Sequence, residues 1–263
     1  MAAPPRRRSP YYYIGSVAKA FRILDAFRGS RRTLSFAEIV EKGGMRKQDT
    51  HRFLLTLRDL GVVTQDPSKK FSIGRHLFEI GQQFVAARAG IDAAAEAHLY
   101  RLSERTGCTT QVGILSGGLV TYVLVVPGTM PVQVVARVGH WRYAHASAIG
   151  KAILAFASKP LRECELHEDG GGMLKCVTER TLVTYEHLAR DIELTIARGY
   201  SFSDGESSLE VAAVGAPIYD EQQNVIAGVS ASFPRHAVSL FKVEAVAEEV
   251  TAAARRLSAR MAS

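Results

Sequence analysis

The sequence predicts an α+β protein in two parts: an N-terminal winged helix-turn-helix, then a larger α/β domain built on an antiparallel sheet. Three observations carry this. Three helical apolar patterns and a short hairpin are packed into residues 16–73. Beyond residue 110 the apolar period turns strand-like, with glycine-rich breaks. The 263-residue chain has a net charge of +7, but residues 1–75 hold 16 Lys or Arg against 6 Asp or Glu, and the remainder is slightly acidic. That asymmetry is expected of a nucleic-acid-binding module joined to a second domain.

Residues 1–13 carry Pro4, Pro5, Arg6 to Arg8, Pro10 and three tyrosines without an apolar period, which predicts a flexible basic arm. From Ser16 onward, Val17, Phe21, Leu24 and Phe27 recur at helical spacing, and Gly29 can close this first helix. Thr33 is placed to cap a short second helix containing Leu34, Ala37, Ile39 and Val40, ended by Gly43 and Gly44. A third helix, about 46–60, gathers Phe53, Leu54, Leu57 and Leu60 in one sector with Thr50 beside them. Gln48, His51 and Arg52 fall on its opposite side. Residues 62–64 and 69–73, joined by Asp66-Pro67-Ser68, read as a hairpin, so 14–77 is predicted as the winged helix-turn-helix.

A helical stretch, about 76–102, follows, with 78–90 as a linker into a second domain at 91–263. Strand-like runs at 111–115, 119–126 and 132–138 are separated by Gly117-Gly118 and by 128–131, which implies antiparallel hairpins. Helices are predicted at 148–157 and 185–198, the latter closed by Gly199. Two more strands, 212–219 and 225–232, flank a turn at 220–224, and a last helix spans 238–261. A domain of this size can hold a ligand between sheet and helices.

No apolar run reaches the roughly 18 residues of a membrane-spanning helix, and the opening lacks the apolar segment of a secretory signal, so cytoplasmic residence is expected. Cys108, Cys164 and Cys176 form no CxxC pair, which argues against a disulfide framework. The Cys164–His167–Cys176 span lacks the close ligand pairs of structural zinc motifs, and no metal is expected. No GxSxG, HExxH, P-loop or GxGxxG is present, and Gly170 to Gly172 lacks the required helix context, so neither catalysis nor a cofactor is expected.

The segments SVAKAFRILDAF, LSFAEIVEKGGMRKQDTHRFLLTLRDLGVV and FSIGRHLFEIG resemble the DNA-binding domain of the IclR family of bacterial transcription regulators. HASAIGKAILAF, TERTLVTYEHLARDIELTIARGYSFSDGE and AAVGAPIYDEQQNVIAGVSASFP resemble that family's effector-binding domain. The resemblance runs from about Gly15 to Pro234. It implies a GAF-like effector domain, assembly as a homodimer or homotetramer, and control of genes for the catabolism of small organic acids or aromatic compounds. The chain departs from the family pattern at Glu210, where glycine is usual, and at Ala213, where cysteine is frequent. The family's acidic pocket position falls on Ser203, with Asp204 beside it.

On the third helix, Lys47 suits a phosphate, and Gln48, His51 and Arg52 suit base edges of a double-stranded operator, since Gln pairs adenine and Arg guanine in the major groove. Arg46 and Thr50 adjoin them, Lys69 and Lys70 sit at the wing tip, and Arg6 to Arg8 suit phosphates or the minor groove. For the effector, Ala148 and Ile149 open a helix after a polar loop with His145 and Ser147, and a helix N-terminus suits a carboxylate. Ser230 and Ser232 share one strand face. Met130, Trp141, Ser203, Asp204 and Ala213 complete the expected pocket, whose apolar character favours an aromatic acid or its derivative over a short 2-oxo acid. The predicted activity is that of a ligand-responsive DNA-binding transcription regulator, a repressor rather than an activator. The rival readings are a constitutive DNA-binding protein whose second domain only oligomerises, and an enzyme with an appended DNA-binding module.

Overall fold

The computed structural model describes residues 13–28, 33–81, 93–158, 173–237 and 243–261. The chain divides into two compact units, Met1–Phe84 and Val85–Ser263. The basic arm up to residue 12, Gly29, most of the linker, Cys164, His167 and Gly170 to Gly172 lie outside the described residues.

The first unit contains α1 (Gly15–Asp25), α2 (Phe36–Gly43), α3 (Lys47–Asp59) and a hairpin of β1 (Val63–Gln65) and β2 (Phe71–Ile73). Its core is Ile23, Ile39, Leu54, Leu57, Val63 and Phe71. Ser35, not Thr33, caps α2, because only Ser35 has a glutamate three residues on. Glu38 returns a hydrogen bond from the Ser35 amide at 2.8 Å and completes a capping box. Leu34 consequently leaves the helix and bridges Phe71, which ties the wing to the segment before α2. Of the stripe anticipated in α1, Leu24 and Phe27 pack against the core, but Val17 and Phe21 are 52% and 44% exposed, while Ile23 and Ala26 are buried. Both stripes have helical spacing, and only the position of α2 and α3 decides which is covered. Leu60 is likewise exposed, since the helix ends before it.

The second unit contains α4 (Ala93–Thr106), β3 (Thr109–Ser116), β4 (Leu119–Val126), β5 (Trp141–Tyr143), α5 (Ala148–Phe156), α6 (Tyr185–Arg198), β6 (Ser201–Asp204), β7 (Val211–Tyr219), β8 (Val225–Pro234) and α7 (Val243–Met261). The six strands form one antiparallel sheet ordered β5-β4-β3-β8-β7-β6. Alternation along the strands divides its two faces. Val112, Ile114, Val214, Ala216, Val229, Ala231 and Phe233 make a dry core with Leu99 and Leu102 of α4 and Val250 and Leu257 of α7. The opposite face, with Gln111, Gly113, Ala213, Gly215, Ser230 and Ser232, is lined by small or polar groups.

Two strand expectations change. Residues 132–138 form no ladder, and Val132, Val135 and Val138 are 57%, 74% and 63% exposed. The partner of β4's outer edge is instead β5, with Thr121 opposite Trp141. The short strand β6 was not anticipated, because its four residues Ser-Phe-Ser-Asp carry little apolar pattern. Among the described residues no helix is long and apolar enough to cross a membrane.

Candidate functional site

Helix α3 begins directly after Arg46, and Lys47, Gln48, His51 and Arg52 are all exposed along one face. Thr50 is the exception. It is fully buried and its hydroxyl donates to the Arg46 carbonyl at 3.1 Å, so it packs the helix and presents nothing to a partner. The helix is held from behind by Lys19 of α1, 3.0 Å from Asp49. The His51 ring meets Phe36 edge-on at 6.0 Å, which orients it against α2. At the wing tip, Asp66 accepts from Ser68 Oγ at 2.7 Å and from the Lys70 amide at 2.9 Å, and these bonds hold its carboxyl below the usual range. The resulting turn places Lys69 at φ 62° and leaves Lys69 and Lys70 exposed.

In the second unit, the N-terminus of α5 lies against the small-residue face of the sheet. Ser147 caps it, accepting from the Gly150 amide at 3.1 Å. Gly215 permits this approach, since a Cβ on it would stand 2.7 Å from the Ala148 carbonyl, and Gly150 lets the turn before the helix fold back on it, since a Cβ there would stand 2.2 Å from the Ala144 carbonyl oxygen. Between this helix start, the sheet and the 134–136 segment is a cleft of about 500 Å³, counting its open mouth. Ala148, Ile149, Ser203, Ala213, Ser230 and Ser232 line it.

Four residues expected there lie elsewhere. Met130 packs over Gly107 and the dry core. Trp141 stands edge-on to Tyr143 at 5.5 Å, because its strand neighbour Arg142 takes the cleft-facing position of the pleat. His145 is buried beside the Tyr143 ring, with Nε2 2.9 Å from the Lys175 carbonyl, and burial lowers its pKa, which keeps it neutral. Asp204 turns to Arg180 and Arg235. Burial alone would raise its pKa, but the Arg235 hydrogen bond and both arginine charges lower it overall.

Sequence reasoning missed Gln111, Tyr122, Arg142, Ser207 and Ser208, all of which line the cleft. A polar Gln111 within the apolar run of β3 was the available signal. The hydroxyls of Ser230 and Ser232, which line the cleft, both donate to Gln111 Oε1, at 2.7 and 3.1 Å, which leaves their oxygens as acceptors toward it. Lys151, also missed, is fully buried beneath the helix start. Its ammonium donates to the Phe202 carbonyl at 2.6 Å and to Glu206 Oε1 at 2.7 Å, and lies 3.0 Å from Asp191. Burial raises the Glu206 pKa despite the lowering effect of Lys151. This network joins α5 and α6 to the loop carrying Ser207 and Ser208. Among the described residues no cluster of three His, Cys, Asp or Glu is arranged to hold a metal.

Two family descriptions match the chain: the IclR helix-turn-helix domain over residues 16–67, and the bacterial transcriptional regulator IclR C-terminal domain over residues 83–259. The chain belongs to the IclR family. It is 33% identical over 221 residues to the HTH-type transcriptional regulator XynR of Escherichia coli, covering 83% of this chain and 86% of that protein. It is 30% identical over 224 residues to the transcriptional repressor IclR of the same organism, covering 84% and 80%. A solved IclR homologue from Microbacterium hydrocarbonoxydans, complexed with 4-hydroxybenzoate, superposes with a TM-score of 0.74 at 24% identity over 94% of this chain and 98% of that one, which shows the shared fold. The IclR-family match makes this chain a DNA-binding transcription regulator and sets the enzyme reading aside.

Proposed function

We propose that this regulator is a repressor that holds an operator through α3 and the wing and releases it when a small organic acid, aromatic in preference to a short 2-oxo acid, enters the cleft. The carrying observation is the cleft itself: a small-residue sheet face and a helix N-terminus enclose space, in a unit separate from α3, with a lining that mixes apolar walls and convergent polar groups. Arg46, Lys47, Lys69 and Lys70 contact phosphates in this reading, and Gln48, His51 and Arg52 read bases. The regulated genes serve catabolism of the effector, and the protein works in the cytoplasm as a homodimer or homotetramer. Residues 14–77 form the DNA-binding domain, 78–90 the linker, and 91–263 the effector-binding and oligomerisation domain.

The coupling required is modest, about 1 to 3 kcal/mol between effector and DNA. The test is fluorescence anisotropy of the full-length protein on its own upstream region, with and without a panel of aromatic acids and 2-oxo acids, alongside thermal melts. An acid that both raises the melting temperature and weakens operator binding supports the reading. Operator affinity unchanged by every acid that stabilises the protein leaves a constitutive DNA-binding protein.

A further inference from the structure

Residues 205–210 join β6 to β7 and bring Ser207 and Ser208 to the cleft. The loop is pinned at Glu206 from two sides. Its carbonyl accepts from Thr181 Oγ1 at 2.7 Å and Thr178 Oγ1 at 3.3 Å, and its carboxylate accepts from the buried Lys151 ammonium at 2.7 Å. Backbone bonds close the loop, from the Gly205 amide to the Val211 carbonyl and from the Val211 amide to the Ser208 carbonyl, both at 3.0 Å. The hydroxyls of Ser207 and Ser208 meet no partner among the described residues, so their placement depends on Glu206.

The side-chain anchor is out of balance. One ammonium, 1% exposed, faces two carboxylates, Glu206 from the loop and Asp191 from α6. Lys151 gives hydrogens to Glu206 Oε1 and the Phe202 carbonyl. Asp191 Oδ2, though 3.0 Å away, is not aligned to receive one, and buried Glu206 Oε2 has no donor among the described residues. The other charged groups nearby offer little relief. Arg198 reaches only the far oxygen of Asp191, at 3.9 Å, and Asp204 on β6 turns to Arg180 and Arg235. His145, before α5, is kept neutral, and Glu179, between the two threonines, is exposed. Two carboxylates sharing one buried cation hold a proton more readily than either would in water. Burial and the Asp191 charge accordingly keep the Glu206 carboxyl above its ordinary range in spite of Lys151. Opening the loop would return Glu206 to solvent and to that ordinary range. By linkage, a group that binds its proton more tightly in the closed loop than in the open one favours closure as pH falls, and that support is lost as pH rises.

We infer that residues 205–210 are a proton-stabilised latch on the cleft: a proton taken from solvent by Glu206 holds Ser207 and Ser208 in place, and its loss at higher pH lets the loop open. The latch operates without effector or DNA, so it stands apart from the choice of ligand.

The test is hydrogen exchange of the full-length protein without ligand, following the amides of residues 205–211 from about pH 8 to about pH 5, with each rate divided by its intrinsic value at that pH. The opening equilibrium constant should fall on acidification by up to about tenfold per pH unit, the limit for one linked proton. Glu206→Gln, which keeps the shape but cannot ionise, should lose that slope. Asp191→Asn removes the second carboxylate and should move the slope to lower pH. A parent whose opening is independent of pH, or increases on acidification, overturns the proposal, as does Glu206→Gln with the parent's slope. If Glu206→Gln does not fold, the parent's slope and its displacement in Asp191→Asn decide: a slope left in place by Asp191→Asn assigns the proton to another group and overturns the proposal.

Discussion

Lys151 Nζ donates to Glu206 Oε1 at 2.7 Å, and the lysine side chain is 1% exposed. Asp191 completes the site at 3.0 Å, so one ammonium faces two carboxylates in an interior position. Burial of such a pair gives little net stability, but removing one partner leaves the others without compensation. Lys151→Met is therefore expected to lower stability by about 3 to 5 kcal/mol in urea denaturation. Adding Glu206→Gln and Asp191→Asn to that variant should recover part of the loss. If Lys151→Met melts like the parent, the network does not hold the loop bearing Ser207 and Ser208.

On α3, Arg52→Ala or Gln48→Ala should cost about 1 to 3 kcal/mol at the cognate operator and relax base preference there. Replacing Lys69 and Lys70 together should weaken operator and random DNA alike and flatten the dependence on salt. Anisotropy titrations on both DNAs at several salt concentrations separate the two behaviours. Equal losses on operator and random DNA for Arg52→Ala would assign that residue to phosphate.

Ala213 faces the cleft from β7, between Ser203 on β6 and Ser232 on β8 in the ladder. Ala213→Leu extends into the ligand space, at a cost of about 1 to 3 kcal/mol in packing. It should abolish the effector-induced rise in melting temperature while operator binding of the unliganded protein persists. A normal effector response in this variant would place the ligand elsewhere.

Asp204 is held by Arg235 at 2.7 Å and by Arg180 at 2.5 Å, with a net lowering of its pKa from 3.8. A carboxyl whose folded pKa is depressed favours folding fully above its unfolded pKa, and that contribution is lost as pH falls through the folded value. The parent should thus melt above Asp204→Asn at neutral pH, and the gap should close progressively on acidification below pH 3.8. Melting curves across that range check the sign; a gap that widens in acid would contradict it.

Local pattern alone determined a large share of the architecture. The exposed face of α3 with Gln48, His51 and Arg52, the turn at Asp66 to Ser68, and the long strands β7 and β8 are legible because helix and strand periods, and the residues that break them, act over a few neighbours. The tertiary structure decided what depends on distant partners. Residues 132–138 alternate like a strand, yet β4 pairs with Trp141–Tyr143, since ladder partners are chosen across the sheet rather than along the chain. The same pleat turns Arg142 into the cleft and Trp141 out of it. Ser230 and Ser232 share a face as the spacing requires, but the group that takes their hydroxyl hydrogens, Gln111, is 119 residues from Ser230. Lys151 reads as an ordinary helix lysine until α6 and the loop after β6 bring Asp191 and Glu206 to it. Periodicity reports that an element has an apolar side; which stripe is covered, and the chemistry of that side, is set by groups that only folding brings within reach.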